Sequence, residues 1–413
     1  MLEPYRVLDL TDERGLICGE MLGDLGADVI VVEPPGGSSA RRIGPFWHDQ
    51  VDINTSLYWW SLNRNKRGIT CNLETEQGRD LLRQLAAGAD FLVESFEPGA
   101  MAAMGLGYDD LAAINPRLIM VSITPFGQTG PKAHNAATDL TVLAASHQLL
   151  LCGDTDRPPV RVAVPQAFLH AGAEGAVAAL IAMFERHESG AGQQIDISAQ
   201  TAAMMATQSM VLQSGWGDRS LIRAAGGVKL GPIHLRFVYP CADGYISYSF
   251  LFGTAIGPAT RRMFEWMFEE GAIDEELRDK DWINYTTMLL SGQEPTSELY
   301  REMDALAAFF ATRTKGDLFR EAMQRGLLIA PVATTADAVE GDQFRARDYW
   351  TPIEHPNHVG SVTYPGPFAK FSETPITYRR PPPELGEHNE EVYRELLGLG
   401  SDDIIALRAA NAI

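Results

Sequence analysis

Residues 6–37, RVLDLTDERGLICGEMLGDLGADVIVVEPPGG, decide the fold class of this chain. Their apolar pattern predicts a strand from Tyr5 to Leu10, a helix from Leu16 to Leu25 and a second strand from Asp28 to Glu33. The second strand stops at a Pro-Pro-Gly-Gly run, which breaks both helices and strands. Two strands separated by one helix are typical of a parallel β-α-β unit.

The same alternation continues along the first half of the chain. It predicts helices at Gln77–Ala87, Tyr108–Ile114 and Pro165–Arg186, and strands at Phe91–Glu94, Leu118–Ile123 and Gln194–Ser198. We therefore expect an α/β fold with an open parallel sheet and helices on both faces. Ligands of such sheets bind beyond the carboxyl ends of the strands, which places loops 11–15, 33–47, 94–105 and 123–139 near a site.

Length and composition limit the class of protein further. The 413 residues are enough for two or three domains of about 100–200 residues each. The formal net charge of −20 argues against nucleic acid and anionic membranes as partners, because such a surface repels phosphate groups. The four cysteines are far apart and fit neither a disulfide framework nor a structural zinc site. The start, MLEPYRVLDL, resembles neither a signal peptide nor a membrane span, so we expect a cytoplasmic protein.

The pattern of elements changes after about residue 205. From there to about residue 325, short strands and acidic helices predominate. Strand-like content returns at 326–340, and a last helix is predicted at about Glu390 to Leu397. We expect the first part of a large domain at 1–205, a linker at 206–225, a smaller α+β domain at 226–325, and a linker with a return to the large domain at 326–413.

Seven stretches spread over both halves of the chain carry a family resemblance. They are RVLDLT, GDLGADVIVVEPPGG, NRNKRGITCNLETEQGRDLL, ADFLVESFEPGAMAAMGLGYDDLAAINPRLIMVSITPFGQTGP, ERHESGAGQQIDIS, IAPVATTADAVEGDQFRARDYW and LGEHNEEV. In this order they resemble the family III CoA-transferases (CaiB/BaiF, formyl-CoA transferase-like), a group that also contains the α-methylacyl-CoA racemases. The resemblance implies a Rossmann-like large domain built from both chain ends, an inserted smaller domain and an interlocked dimer.

The implied activity is transfer of CoA between an acyl-CoA thioester and a carboxylic acid. Coenzyme A and acyl-CoA are then substrates, and neither a metal, a nicotinamide nor a flavin is expected. The expected protein partner is a second copy of the chain in a homodimer, or a catalytically complete relative in a heteromer.

Two basic clusters are the densest positive charges in this acidic chain. They are Arg41-Arg42 and Arg64-Asn65-Lys66-Arg67. Because CoA carries a 3′-phosphate and a pyrophosphate, Arg41, Arg42, Lys66 and Arg67 are predicted phosphate contacts. Pairing of these cations with carboxylates of the chain is the alternative.

The resemblance adds further candidates for the CoA site. By similarity, the loop from Thr11 to Gly15, which includes Arg14, lines the path of the nucleotide and pantetheine. Ser95, Phe96 and Met104 are expected on the same path.

The catalytic aspartate of the family is absent from this sequence. The family's transferases use one aspartate just before the long helix as a nucleophile that forms covalent intermediates. Counting back from Arg186 without a gap, its position falls on Phe168, and no Asp or Glu lies between Arg157 and Glu174. The family's racemases instead use a histidine next to an aspartate and a second aspartate at the helix start. Counted in the same way, the histidine position falls on Thr138 and the second aspartate position falls on Ala167.

His170 and Glu174 are the remaining candidates near the helix start. Their i, i+4 spacing places them on one helical face, where they are able to act as a general base and its orienting partner. The alternatives are a surface ion pair or a histidine in a dimer interface. His134 and Asp139 form a second candidate pair, although Asp139 is also expected to have a structural role.

The predicted activity is therefore CoA transfer, either by direct attack of the acceptor acid on the thioester or through Glu174. Two alternatives stay open: an acyl-CoA isomerase, racemase or lyase that uses His/Glu proton transfer, and a non-catalytic CoA-binding subunit.

Overall fold

The computed structural model of the chain describes residues 1–216, 223–230, 233–358 and 360–413. The chain divides into two compact units. The larger unit comprises Met1–Leu149, Arg161–Gly217 and Arg345–Ile413, and the smaller unit comprises Leu150–Val160 and Asp218–Phe344. Residues 217–222 of the predicted linker lie outside the described residues.

A six-stranded parallel sheet forms the centre of the larger unit. Its strands are β1 Arg6–Leu10, β2 Asp28–Glu33, β3 Lys66–Thr70, β4 Phe91–Glu94, β5 Ile119–Thr124 and β6 Gln194–Ser198. They are ordered β3-β2-β1-β4-β5-β6, which confirms the predicted open parallel α/β sheet. Val7 of β1 lies opposite Val29 of β2 and Phe91 of β4, and all three side chains are buried. Burial on both faces explains why these strands are almost continuously apolar.

Helices connect the strands and cover the sheet. They are α1 Leu16–Asp24, α2 Leu57–Asn63, α3 Glu76–Ala87, α4 Ala100–Ala103, α5 Tyr108–Ile114, α6 Asp139–Ala145, α7 Ala167–Ser189, α8 Ala199–Met205 and α9 Gln208–Gly215. Short 3-10 turns occur at Ser39–Arg42, Trp47–Asp49 and Gln148–Leu151. The predicted helices and strands of this half are present, with ends that differ by a few residues.

Strand β3 is the main element that the sequence pattern did not predict. Its residues, KRGIT, include Lys66 and Arg67 of the basic cluster that was predicted to contact phosphates. Apolar periodicity does not reveal this strand because two of its five residues are charged, although all five residues are buried. The carboxylates that make this burial possible come from other strands and from a helix near the chain end, as described below.

Helix α7 packs closely on α1 through its glycines. A Cβ atom on Gly172 would lie 2.4 Å from Ile17 Cγ2, and one on Gly175 would lie 3.4 Å from Cys18 Sγ. The helix ends at Gly190, whose φ of 77° suits the left-handed position that follows many helices. Of the described helices, α7 alone is long and apolar enough to cross a membrane, and 44% of its most apolar window is buried in the protein. Its alanine and glycine face forms part of the core of the larger unit.

The smaller unit combines short antiparallel strands with helices around an aromatic core. Its strands are β7 Gly227–Leu230, β8 Ile233–Arg236, β9 Val238–Cys241, β10 Gly244–Tyr248 and β11 Ile329–Pro331. Its helices are α10 Gly257–Glu269, α11 Glu275–Arg278, α12 Tyr285–Ser291, α13 Thr296–Ala311, α14 Lys315–Arg325 and α15 Thr335–Glu340. Strand content within 326–340 is thus confined to β11, and the rest of that stretch contains a helix.

The chain belongs to the larger unit again from Arg345 onward. Helix α16, Asp342–Ala346, is followed by the antiparallel pair β12 Thr351–His355 and β13 Gly360–Tyr364, and then by α17 Asn389–Leu397 and α18 Ser401–Ala409. The sequence pattern predicted α17 but not α18. Asn389 and Tyr393 of α17 bind the end of β3: Asn389 Nδ2 donates to Thr70 Oγ1 at 2.8 Å, and Tyr393 Oη donates to Thr70 O at 2.7 Å. The end of the chain therefore covers the β3 edge of the sheet.

Candidate functional site

A cavity at the carboxyl ends of β1 to β4 is the candidate site. It has a volume of about 850 Å³ and lies entirely within the larger unit. Four loops supply most of its lining: Thr11, Asp12 and Arg14 after β1; Pro34 to Ser39 after β2; Cys71 to Glu74 after β3; and Ser95, Phe96, Ala100, Ala103 and Met104 after β4. Parallel strands bring these four loops to one edge of the sheet, where open α/β sheets bind their ligands.

Five of the predicted CoA contacts lie on the wall of this cavity. They are Thr11, Arg14, Ser95, Phe96 and Met104. Gly15 is not part of the wall and instead forms the N-terminal cap position of α1. A Cβ atom at Gly15 would lie 2.5 Å from Thr11 Cγ2, so only a glycine fits beneath that loop. The binding roles of these residues stay predictions.

The side chain of Arg14 is held by two carboxylates. Arg14 Nε and Nη2 donate to the two oxygens of Asp12 at 2.9 and 2.7 Å, and Nη1 donates to Glu97 Oε1 at 3.2 Å. Ser95 Oγ donates to Asp12 Oδ1 at 3.0 Å and also accepts from Asp12 N. The loops after β1 and β4 are thereby joined, and the charge of Arg14 is already compensated.

Arg41 is fully buried and shapes the loop after β2. Its Nε and Nη2 donate to the two oxygens of Glu33 at 2.6 and 2.8 Å, and its guanidinium lies 3.8 Å from the centre of the Trp59 ring. Glu33 Oε2 also accepts from Ser38 N at 2.9 Å. The neighbouring Arg42 is exposed and donates to Gly36 O at 2.8 Å. Arg41 thus has a structural role instead of the predicted phosphate contact, and Arg42 lies against the loop outside the cavity wall.

Lys66 and Arg67 are also paired inside the larger unit. Lys66 Nζ donates to Asp9 Oδ2 at 2.8 Å and to Leu16 O at 2.9 Å, and neither Lys66 nor Asp9 is accessible to solvent. Arg67 contacts Asp28 at 2.6 Å and binds two glutamates of α17, Glu391 and Glu395. Neither cation lines the cavity. The structure therefore corrects their predicted role as phosphate contacts: the carboxylates of neighbouring elements reach them first.

Asp139 holds the start of α7. Its Oδ1 accepts from Gln166 N at 2.7 Å and from Ala167 N at 2.8 Å, two of the N–H groups that a helix start leaves without partners. Phe168 follows in the first turn of α7, and its side chain packs in the core of the larger unit with 9% exposure. Asp139 Oδ1 therefore positions α7, whereas Oδ2 is buried without a hydrogen-bond partner among the described residues and lies 4.0 Å from Arg161 Nε. Position 168 offers only a buried phenyl ring.

The two predicted acid–base pairs do not form hydrogen-bonded pairs. His170 is exposed and Glu174 is half-buried on α7, and the described part of the chain shows no hydrogen bond or ion pair between them. Burial raises the pKa of Glu174, although the nearby His170 opposes this shift. His134 is exposed, and no contact with Asp139 is found within the described ranges.

Glu94, at the carboxyl end of β4, is a buried carboxyl group that sequence reasoning missed. Its side chain is 3% exposed, and Phe96 N donates to its Oε2 at 2.7 Å. Burial raises the pKa of Glu94 to about 7, even though hydrogen bonds from Ser122 and Phe96 favour the ionised form. The sequence offered one signal for this buried carboxyl group: Glu94 ends a strand whose other residues are apolar.

This pKa shift predicts how the stability of the larger unit changes with pH. The folded state binds the Glu94 proton more tightly than the unfolded state does. The contribution of Glu94 to the free energy of unfolding is therefore complete below about pH 4.5 and is lost as the pH rises through about 7. A loss of up to about 3 kcal/mol is expected from this group. Urea unfolding at several pH values should show a smaller decline for Glu94→Gln than for the wild type. An identical decline in both proteins would contradict the prediction.

The wall after β3 depends on residues near the chain end. Asn72 N donates to Ala412 O at 2.8 Å, and Asn72 Nδ2 donates to Asn411 O at 2.9 Å. Asn411 itself lines the cavity. Sequence reasoning missed this part of the site because it predicted neither β3 nor the helix α18 that precedes Asn411.

The family profile described as CoA-transferase family III matches residues 2–389. The chain belongs to CoA-transferase family III. It is 35% identical over 392 residues to the succinyl-CoA:(R)-benzylsuccinate CoA-transferase subunit BbsE of Thauera aromatica, covering 95% of this chain and 93% of that protein. It is 30% identical over 414 residues to the succinyl-CoA–D-citramalate CoA-transferase of Chloroflexus aurantiacus, covering 100% of this chain and 98% of that protein.

The solved structures agree with this assignment. A CaiB/BaiF family protein from Brucella suis superimposes with a TM-score of 0.81 at 28% identity, covering 95% of this chain and 98% of the other. The resemblance seen in the sequence is thereby confirmed, and the chain is a family III CoA-transferase. The substrates of this enzyme class are CoA thioesters.

The wall of the cavity carries more negative than positive side chains. Three carboxylates, Asp12, Glu33 and Glu74, line it, but of the cationic side chains in the described residues only Arg14 does. Arg14 is already bound by Asp12 and Glu97. These residues do not fit a 3′-phosphate and a pyrophosphate, which need uncompensated positive charge. The described residues also contain no group of three or more His, Cys, Asp or Glu side chains placed to hold a metal ion.

Proposed function

We propose that this chain is the subunit of a family III CoA-transferase that lacks the nucleophile. It would act with a catalytically complete relative to move CoA between an acyl-CoA thioester and a carboxylic acid. The observation that carries this proposal is the start of α7, where Phe168 is buried in the core and Asp139 Oδ1 accepts from the N–H groups of Gln166 and Ala167. A nucleophilic carboxylate is thus absent from the first turn of α7, and the partner subunit would supply it.

The names of two relatives suggest the substrates. Both the Thauera and the Chloroflexus proteins are named for succinyl-CoA, and their acceptors, (R)-benzylsuccinate and D-citramalate, are substituted succinates. The proposed donor is therefore succinyl-CoA, and the proposed acceptor is a dicarboxylic acid of the substituted succinate class. The Thauera relative is itself named as a subunit, which supports a heteromer.

An uncovered apolar surface on α7 supports assembly with another chain. Val177, Ile181 and Phe184 follow one another at helical spacing and are 53%, 66% and 73% exposed. Apolar side chains in such a row are typical of a subunit contact. The proposed assembly is the interlocked dimer that the family implies, and its proposed location is the cytoplasm. In each chain, the segment 226–325 would be inserted as a smaller domain between 1–205 and 326–413. A homodimer stays the alternative to the heteromer.

The test compares the chain alone with the chain from its own cells. The purified recombinant chain, incubated with succinyl-CoA and a substituted succinate, is expected to exchange no CoA above background. Its intact mass after quenching should show no hydroxylamine-sensitive adduct. Chain isolated from its source organism should carry a second family III polypeptide in equal amount, and the adduct should map to an aspartate of that polypeptide.

The opposite result is equally specific. Exchange of CoA by the recombinant chain alone, with an adduct on this polypeptide, would show that one of its own residues replaces the aspartate. Glu174→Gln and His170→Asn then identify whether the α7 pair is involved, with Glu188→Gln, near the end of the same helix, as the matched control.

Loss of label from the α-carbon in heavy water without CoA exchange would instead indicate an isomerase or racemase.

A further inference from the structure

The charge of the cavity differs from what a CoA-binding cavity requires. The charged side chains on its wall are the guanidinium of Arg14 and the carboxylates of Asp12, Glu33 and Glu74. Arg14 is bonded to Asp12 and to Glu97, and Glu33 is bonded to Arg41, which lies outside the wall. Two further arginines outside the wall, Arg42 and Arg79, donate to backbone carbonyls of wall residues. The cavity is therefore negative before any ligand enters.

Glu74 contributes most directly to this negative charge. It follows β3 on the cavity wall and is exposed. In the part of the chain that the structure describes, no hydrogen bond or ion pair of its carboxylate is found. Its charge thus acts on the cavity without compensation, and solvent or salt alone screens it.

Two backbone N–H groups of the loop after β2 are already bonded inside the protein. Gly37 N donates to Pro34 O at 2.8 Å, and Ser38 N donates to Glu33 Oε2 at 2.9 Å. These N–H groups are used inside the loop and do not point to a ligand. Arg42 lies outside the cavity wall, where it donates to the carbonyls of Gly36 and Ser38.

We propose that this cavity rejects the phosphate groups of CoA, and that the CoA of the assembly is bound by the partner subunit. The second half of this statement rests on the proposed function, whereas the first half depends on the cavity alone. A pantetheine moiety, which is uncharged, would enter this cavity no less readily than CoA itself. The chain would then contribute structure and subunit contacts to the enzyme instead of a second CoA site.

The test measures binding of CoA, dephospho-CoA and pantetheine to the purified full-length chain by calorimetry at low and high salt. The wild type is expected to bind CoA no more tightly than pantetheine, or not measurably at millimolar concentration. Any CoA binding should strengthen with salt, because salt screens repulsion. A phosphate-binding site shows the opposite sign.

A charge reversal provides the second arm. Glu74→Lys is expected to tighten CoA binding by about tenfold and to leave the affinity for pantetheine unchanged. The substitution replaces a group on the cavity wall that repels the CoA phosphates by one that attracts them. Glu373→Lys, which makes the same charge change at an exposed residue outside the cavity wall, is expected to have no such effect.

One result would overturn the proposal. Binding of CoA by the wild type at least about tenfold more tightly than pantetheine, weakened by salt, would show that the cavity accepts the phosphates. This failure is distinct from failure of the proposed function, which is decided by the polypeptide that carries the covalent adduct. A chain that binds CoA in this way and still forms no adduct would refute the inference and leave the heteromeric function intact.

Discussion

Lys66→Met is expected to lower the free energy of unfolding of the larger unit by about 3–5 kcal/mol. The ammonium group of Lys66 lies 2.8 Å from Asp9 Oδ2, and neither side chain is accessible to solvent. Removing the cation leaves a carboxylate buried in the sheet without its partner. Urea unfolding followed by circular dichroism measures the change.

Two comparison variants make this result specific. Lys370→Met, at an exposed lysine, should change the stability by less than about 0.5 kcal/mol. Asp9→Asn combined with Lys66→Met should recover part of the loss, because the amide carries no charge and is still able to accept from Thr11 Oγ1, which lies 2.6 Å from Asp9 Oδ1. A Lys66→Met protein of unchanged stability would contradict the stabilising role of the buried Lys66–Asp9 pair.

Arg41→Met is the second substitution with a large expected effect. Loss of the guanidinium leaves Glu33 buried at 1% exposure without a counter-charge, and a cost of about 3–5 kcal/mol is again expected. It also removes the hydrogen bonds from Arg41 to Pro383 O and Asn54 Oδ1, which connect the loop after β2 to two other segments. The urea midpoint should fall, and the loop from Pro34 to Ser39 should become more sensitive to proteolysis.

The next residue in the chain supplies the matched control. Arg42 is exposed and donates to backbone carbonyls, so Arg42→Met should leave the urea midpoint nearly unchanged. Glu33→Gln together with Arg41→Met should be more stable than Arg41→Met alone, because no buried charge is then left. Equal behaviour of Arg41→Met and Arg42→Met would contradict the structural role of Arg41.

These two substitutions bear on function because both cations are the kind of residue that a CoA site needs. In this chain their charge stabilises the sheet beside the cavity instead of reaching into it. Together with the buried Phe168, this agrees with a chain that keeps the fold of a family III CoA-transferase while the chemistry belongs to its partner.

The sequence by itself determined the fold class, the family and the lack of a carboxylate before α7. Strands such as β1, β2 and β4 are buried on both faces, so their apolar runs and the glycine turns between them are visible in one dimension. The absence of Asp or Glu between Arg157 and Glu174 is likewise a property of the chain alone. The five cavity residues were expected from the family resemblance, which is also carried by the sequence alone.

Only the tertiary structure decided which way the charged residues face. Lys66 meets Asp9 across 57 positions of sequence, and Arg67 meets Glu395 across 328. A charged cluster has the same appearance in a sequence whether it binds a ligand or a buried carboxylate, because the pairing depends on elements that are distant along the chain. Strand β3 stayed hidden for this reason, and the charge of the cavity became visible only when the loops after β1 to β4 were brought to one edge of the sheet.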